Sequence, residues 1–103
     1  MVAQENVNNV LNKLISLISE EYKISAVYLF GSYARKSEHK YSDIDVAIIS
    51  DSFEGSRFND RRKLNKFILK TSVDIEIHPF RTRDFNSTNP LVAEILKTGI
   101  KIV

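Results

Sequence analysis

The chain lacks several residue types on which common classes of protein depend. Its 103 residues include no cysteine, no tryptophan, one methionine, two prolines and three glycines. Without cysteine there is no disulfide, no thiolate nucleophile and no cysteine-ligated zinc site. No apolar run approaches the roughly 20 residues of a membrane span, and the first residues lack the basic and apolar regions of a signal peptide. We therefore expect a cytoplasmic protein without a membrane partner.

Charge of one sign is also not in large excess. Fifteen Lys and Arg oppose thirteen Asp and Glu, which gives a net charge of +2. This balance does not indicate a nucleic-acid partner. Six basic residues do cluster on one predicted helix, where they form either a solvated face or a docking surface for an acidic partner or RNA. They are Arg57, Arg61, Arg62, Lys63, Lys66 and Lys70.

The apolar residues predict one α/β domain over residues 1–103, with one sheet covered by helices. The predicted elements are a helix over about 4 to 21, a strand over 24 to 30, a short helix after the Gly31 turn, a strand to about 49, the basic helix, a strand over 73 to 78, a helix from Asn89-Pro90 to Gly99 and a terminal strand over 100 to 103. The sequence leaves the strand order open.

Two carboxylates occur at the start of the second predicted strand. Asp43 and Asp45 are two residues apart, so in a strand both side chains point to one face while Ile44 and Val46 point to the other. Two ionised aspartates this close repel each other unless a counter-charge is present. Magnesium prefers carboxylate and phosphate oxygens, and two such ions about 3.5 to 4 Å apart can activate an attacking oxygen and stabilise a leaving one. The pair therefore predicts a metal site.

A glycine turn upstream supplies a place for an anion. Gly31 and Ser32 follow the apolar strand and open the predicted short helix. Glycine lets the backbone approach a ligand closely, the serine offers a hydroxyl, and the free N–H groups of a helix start favour phosphate.

Each half of this pattern is weak evidence when taken alone. A Gly-Ser after a strand is usually a turn with a helix cap, and an Asp-x-Asp at a strand start is usually solvated surface. Here the two occur together, ten residues apart, and apolar strands flank both. The combination makes phosphoryl transfer at a metal site the leading hypothesis.

These residues resemble the minimal nucleotidyltransferases of the DNA polymerase beta superfamily. The matching segments are Gly31-Ser32-Tyr33-Ala34-Arg35 and Tyr41-Ser42-Asp43-Ile44-Asp45-Val46-Ala47-Ile48. The resemblance implies a mixed sheet with three carboxylates gathered at one edge, the third being on a later strand. Asp74 and Glu76 share one face there, so alternation alone does not choose between them. Asp74 matches the family position better and is our prediction. A lone histidine at a strand end, such as His78 on the same face, is more often structural or solvated.

The resemblance also implies an activity and a set of roles. Asp43, Asp45 and Asp74 would be the catalytic residues and would hold two Mg²⁺ ions, with ATP as the substrate. The nucleotide-binding residues would be Gly31, Ser32, Arg35 and Ser42. Stand-alone members of this kind pair with a small HEPN-type toxin, which implies an antitoxin that transfers AMP to a tyrosine of its partner.

Two other functions remain open from the sequence. One is a nucleotidyltransferase that acts on a small molecule or RNA, although few residues after His78 are left to form an acceptor pocket. The second is a non-catalytic binding module that neutralises its partner by contact.

Overall fold

The computed structural model describes residues 4–31, 44–71 and 74–103. The elements in this part of the chain are α1 Gln4–Ser19, β1 Ala26–Phe30, β2 Ile44–Ile49, α2 Arg57–Leu69, β3 Ile75–Phe80, a 3₁₀ turn Thr82–Asp84, α3 Pro90–Thr98 and β4 Ile100–Lys101. None of the described helices is long and apolar enough to cross a membrane. The short helix predicted after Gly31 lies outside the described residues.

The four strands form one mixed sheet in the order β3-β2-β1-β4. The strands β2 and β3 are parallel, whereas β1 is antiparallel to both β2 and β4. The predicted α/β fold, a mixed sheet covered by helices in a single compact domain, is thereby confirmed, and its Cα radius of gyration is 12.8 Å. The third strand ends at Phe80 rather than at 78, because its pairing with β2 continues as far as Ile49.

The two faces of the sheet carry different helices. On one face, Val46, Ile48 and Ile77 are buried in a cluster with residues of α1 and α2, including Leu14 and Leu64. This larger cluster explains the helical spacing of the apolar residues in α1, since each buried position recurs on one side of that helix.

Among the described helices, only α3 packs on the opposite face, and it covers part of that face. Ala47 and Ile49 pack there with Val92 and Ile95 of α3. Asp45 belongs to the same face but lies nearer the start of β2, and about a quarter of its side chain remains exposed (25%). Among the described residues, the carboxylate of Asp45 is therefore accessible, whereas His78 on the same face is buried.

Local signals set the ends of α2 and α3. The Ser56 hydroxyl accepts a hydrogen bond from the backbone N–H of Asn59 and caps α2. Asn89 caps α3 in the same way, and Pro90 occupies its first turn as predicted. Gly99 ends α3 with φ of −74°, so it is not in the left-handed region. A Cβ at this position would instead collide with the carbonyl oxygen of Ile95.

Candidate active site

The register of the parallel strands brings Asp45 next to Glu76. These two residues are Cα partners in the β2 and β3 pairing, and His78 follows two residues later on the same face. One ligand atom from each of Asp45, Glu76 and His78 lies within 4.8 Å of the others. This is the one such group of three acidic or histidine side chains among the residues that the structure describes.

The Gly31 turn lies directly against this group. Gly31 has φ of +76°, a left-handed conformation that glycine adopts far more readily than other residues. A Cβ built on Gly31 would lie 2.5 Å from Oδ2 of Asp45, well inside van der Waals contact. The preceding residue, Phe30, is also the strand partner of Asp45. The glycine is therefore needed for its backbone conformation and for the space it leaves to the carboxylate.

The two halves of the sequence motif thus meet in the structure at Gly31 and Asp45. The other predicted residues of these two segments are not among the described residues. They are Ser32, Arg35, Ser42 and Asp43. Their predicted roles in binding the nucleotide and the metal remain predictions.

The third predicted carboxylate, Asp74, lies immediately before the first residue of β3. Its carbonyl oxygen accepts a hydrogen bond of 2.7 Å from the N–H of Ile44, and the residue is exposed. Asp74 directly precedes Ile75, which pairs with Ile44. Within the described residues, Glu76 rather than Asp74 shares the group with Asp45. The assignment of Asp74 rather than Glu76 as the third carboxylate therefore remains a prediction.

Two arginines of α2 reach the same group, which sequence reasoning did not anticipate. Nη2 of Arg57 lies 2.5 Å from Nδ1 of His78, and Nη2 of Arg61 lies 3.5 Å from Oε1 of Glu76. For these two residues, the interpretation as a solvated helix face is incomplete. Their i, i+4 spacing was the available signal, since it places both on one side of the helix.

The arginine contacts differ in strength. Arg61 and Glu76 form an ion pair whose side chains are 42% and 38% exposed, and such pairs contribute at most about 1 kcal/mol because water screens them. The His78 side chain is only 9% exposed, and its ring packs edge-on against Phe30 with centroids 4.9 Å apart. The Arg57 contact therefore acts on a fixed, buried ring.

The donor atoms of this group fit a divalent cation. Asp45 and Glu76 supply carboxylate oxygens, the ligands that Mg²⁺ prefers. Both side chains are partly exposed, so an ion with its remaining waters and a phosphate has access to them. Residues with the chemistry to hold a cation therefore lie beside a glycine turn, a combination that suits phosphoryl transfer.

Comparison with known proteins defines the class to which this fold and site belong. Residues 12–103 match the family model described as "Polymerase beta, Nucleotidyltransferase". The chain therefore belongs to the polymerase beta nucleotidyltransferase family, and the resemblance predicted from the motif is confirmed.

The relatives narrow this class. A protein of Methanocaldococcus jannaschii named "Putative protein adenylyltransferase MJ1305" is 30% identical over 108 aligned residues, which cover 97% of this chain and 73% of that protein. The protein adenylyltransferase MntA of Shewanella oneidensis is 42% identical over 40 residues, or 38% of this chain and 29% of that protein. These relatives are named as enzymes that modify proteins.

Solved structures share the fold. A crystal structure of a toxin-antitoxin with AMP-PNP superposes with a TM-score of 0.64 at 24% identity, over 93% of this chain and 72% of that one. The toxin-antitoxin MntA-HepT superposes with a TM-score of 0.58 at 22% identity, over 98% and 72% of the two chains. At these identities the likeness supports the nucleotidyltransferase fold.

Proposed function

We propose that this chain is a Mg²⁺-dependent protein adenylyltransferase that transfers AMP from ATP to a tyrosine of a partner toxin, and so acts as its antitoxin. The observation that carries the proposal is the contact between Gly31 and Asp45, with Glu76 beside them. It places a glycine turn suited to phosphate against a carboxylate suited to a cation. The names of the relatives favour a protein as the acceptor, and the toxin-antitoxin neighbours favour a toxin. The HEPN type of that toxin is what the resemblance of the motif implies.

The metal would be held by Asp45 together with Asp43 and a third carboxylate. When bound, it would supply positive charge to the triphosphate and to the developing charge of the transition state. We propose Asp74 as the third carboxylate, because it precedes Ile75 just as Asp43 precedes Ile44 along the chain, and Ile44 and Ile75 are register partners. Glu76 would then help to hold the cation, either directly or through a water molecule.

The transfer of AMP forms one bond, breaks one bond and moves one proton. The acceptor hydroxyl oxygen forms a bond to the α-phosphorus of ATP while the bond from that phosphorus to the bridging oxygen breaks. Pyrophosphate leaves with the electron pair, and the third carboxylate accepts the hydroxyl proton. Ser32 and the backbone after Gly31 would hold the β- and γ-phosphates, and Arg35 and Ser42 would add further contacts. Catalysis of this kind consists mainly of positioning and charge stabilisation.

The test is a transfer assay with a matched pair of variants. The protein is incubated with Mg²⁺, α-labelled ATP and the product of the adjacent reading frame, and the modified residue is located by mass spectrometry. We expect label on a tyrosine and its loss in Asp45→Asn. Asp51→Asn is the control, because Asp51 lies just past the other end of β2, about 20 Å away at 3.3 Å per residue, where it accepts the Thr82 N–H.

The alternatives give different results. Label on RNA or on an added small molecule, with none on the partner, would assign another acceptor. No label anywhere, together with stoichiometric inhibition of an unmodified partner, would make the chain a binding module. Transfer that survives Asp45→Asn would place the active site elsewhere.

A further inference from the structure

A line of polar contacts leads from the surface of α2 to the carboxylate of Asp45. Arg57 contacts Nδ1 of His78 at 2.5 Å, and Nε2 of the same ring lies 3.3 Å from Oδ1 of Asp45. The ring between them is buried and packed against Phe30. The imidazole therefore joins an exposed arginine to the central carboxylate of the candidate site.

The donor inventory of these groups decides the tautomer of the ring. A guanidinium has only N–H donors, so Nδ1 of His78 must accept the hydrogen bond from Arg57. The ring proton is then on Nε2, where it is donated to Oδ1 of Asp45. The other oxygen, Oδ2, is the one that lies against Gly31. One carboxylate oxygen is thus held by His78, and the second is directed to the glycine turn.

We infer that His78 is a positioning residue, which Arg57 holds in the tautomer that orients the carboxylate of Asp45. The inference rests on the proposed function, because it gives Asp45 the role of metal ligand. Hydrogen-bond partners of metal ligands fix the orientation of those ligands, and their loss commonly costs metal affinity about 10- to 100-fold.

His78 is also close enough to be a metal ligand itself, since it belongs to the group with Asp45 and Glu76. The Arg57 contact argues against that role. A nitrogen ligates a metal through its lone pair, and here Nδ1 uses its lone pair to accept from Arg57 while Nε2 carries the proton. The positioning role agrees with both observed contacts, in which Nδ1 of His78 accepts from Arg57 and Nε2 donates to Asp45.

The path of the Arg57 side chain from α2 to His78 supports a specific function for the contact between these two residues. Helix α2 packs on the face of the sheet that holds Ile75 and Ile77, whereas His78 points to the opposite face. Because β3 is at the edge of the sheet that the described strands form, the side chain of Arg57 can reach His78 around that edge. Arg61 reaches Glu76 in the same way. An arginine whose only role was to expose its charge to water would not extend across the edge of the sheet.

The experiment measures Mn²⁺ binding in the presence of AMP-PNP by electron paramagnetic resonance, so it needs no acceptor. We expect His78→Leu to weaken Mn²⁺ binding about 10- to 100-fold. His78→Gln should restore most of the affinity, because its amide can accept from Arg57 and donate to Asp45. Arg57→Gln should weaken binding several-fold, whereas Arg62→Gln removes the same charge from the same helix and should leave binding unchanged. Thermal unfolding of each variant verifies that it folds.

Each result decides between the interpretations. Equal losses in His78→Gln and His78→Leu would make His78 a direct ligand and overturn the positioning role. Wild-type affinity in His78→Leu, with binding still abolished in Asp45→Asn, would overturn this inference and leave the proposed function intact. If His78→Leu fails to fold, the inference is tested by comparing the Mn²⁺ affinities of Arg57→Gln and Arg62→Gln. Equal affinities of these two variants would overturn the inference. A wild-type chain that binds no Mn²⁺ with AMP-PNP would overturn the proposed function as well.

Discussion

Replacing Gly31 by alanine tests the centre of the candidate site. The φ of +76° imposes a left-handed conformation that costs a non-glycine residue about 1 to 2 kcal/mol. The new Cβ would lie 2.5 Å from Oδ2 of Asp45, whereas ordinary contact begins at 3.4 Å, so the carboxylate has to move by about 0.9 Å. A misplacement of about 1 Å can cost on the order of a hundredfold in rate.

Gly55→Ala provides a matched control for the backbone effect. Gly55 has φ of +97°, and a Cβ there would meet the flexible end of the Arg81 side chain, which can move away. We expect both variants to lose about 1 to 2 kcal/mol of unfolding free energy, with a Tm lower by roughly 4 to 16 °C. Only Gly31→Ala should lose label transfer to the partner, by about a hundredfold.

Circular dichroism melts and initial rates of transfer measure the two effects separately. If Gly31→Ala loses stability as Gly55→Ala does but transfers label at the wild-type rate, the contact with Asp45 has no part in the reaction. If neither variant loses stability, then Gly31 and Gly55 do not require the left-handed backbone conformation.

Three further predictions concern the scaffold. Asp60 is buried and accepts two backbone N–H groups of the preceding loop at 2.9 and 3.0 Å, so Asp60→Ala should lower the unfolding free energy in urea by at least about 2 kcal/mol. Ile48→Ala in the core should cost about 2 to 5 kcal/mol, whereas Leu69→Ala on the exposed side of α2 should change stability by less than about 0.5 kcal/mol. The hydrogen bond and charge of Lys63 hold the pKa of Glu54 below its ordinary value of 4.5, and the same partner raises the pKa of Lys63 above 10.5. The stabilisation from this exposed pair should therefore be lost as pH falls through the lowered pKa of Glu54 or rises through the raised pKa of Lys63, so the difference in Tm between wild type and Lys63→Gln should vanish at both extremes and in high salt.

The alternation of side chains made the face of each described carboxylate predictable. Asp45 and Glu76 were each assigned to a face by a period of two, and the capping residues Asn89 and Pro90 marked the start of α3 correctly. Register was not predictable, because it depends on which strands pair and at what offset, and the chain carries no local signal for either. The pairing of Asp45 with Glu76 is a consequence of that register.

The arginine contacts were hidden for a related reason. Sequence spacing shows which residues of α2 share a side, but it does not show that the neighbouring strand lies at the edge of the sheet. Once β3 is at the edge, Arg57 and Arg61 can reach the opposite face. Long-range topology thus changed the interpretation of residues whose local pattern was already known.

The edge position of β3 has a further consequence for the behaviour of the protein in solution. An edge strand offers unpaired N–H and C=O groups to any other chain, which is a route to aggregation. Pro79 removes one of these donors, and the side chains of Arg57 and Arg61 cross the same edge with their positive charges. Arg57 and Arg61 therefore also disfavour pairing of β3 with a second molecule, so variants that remove both arginines should self-associate as concentration rises.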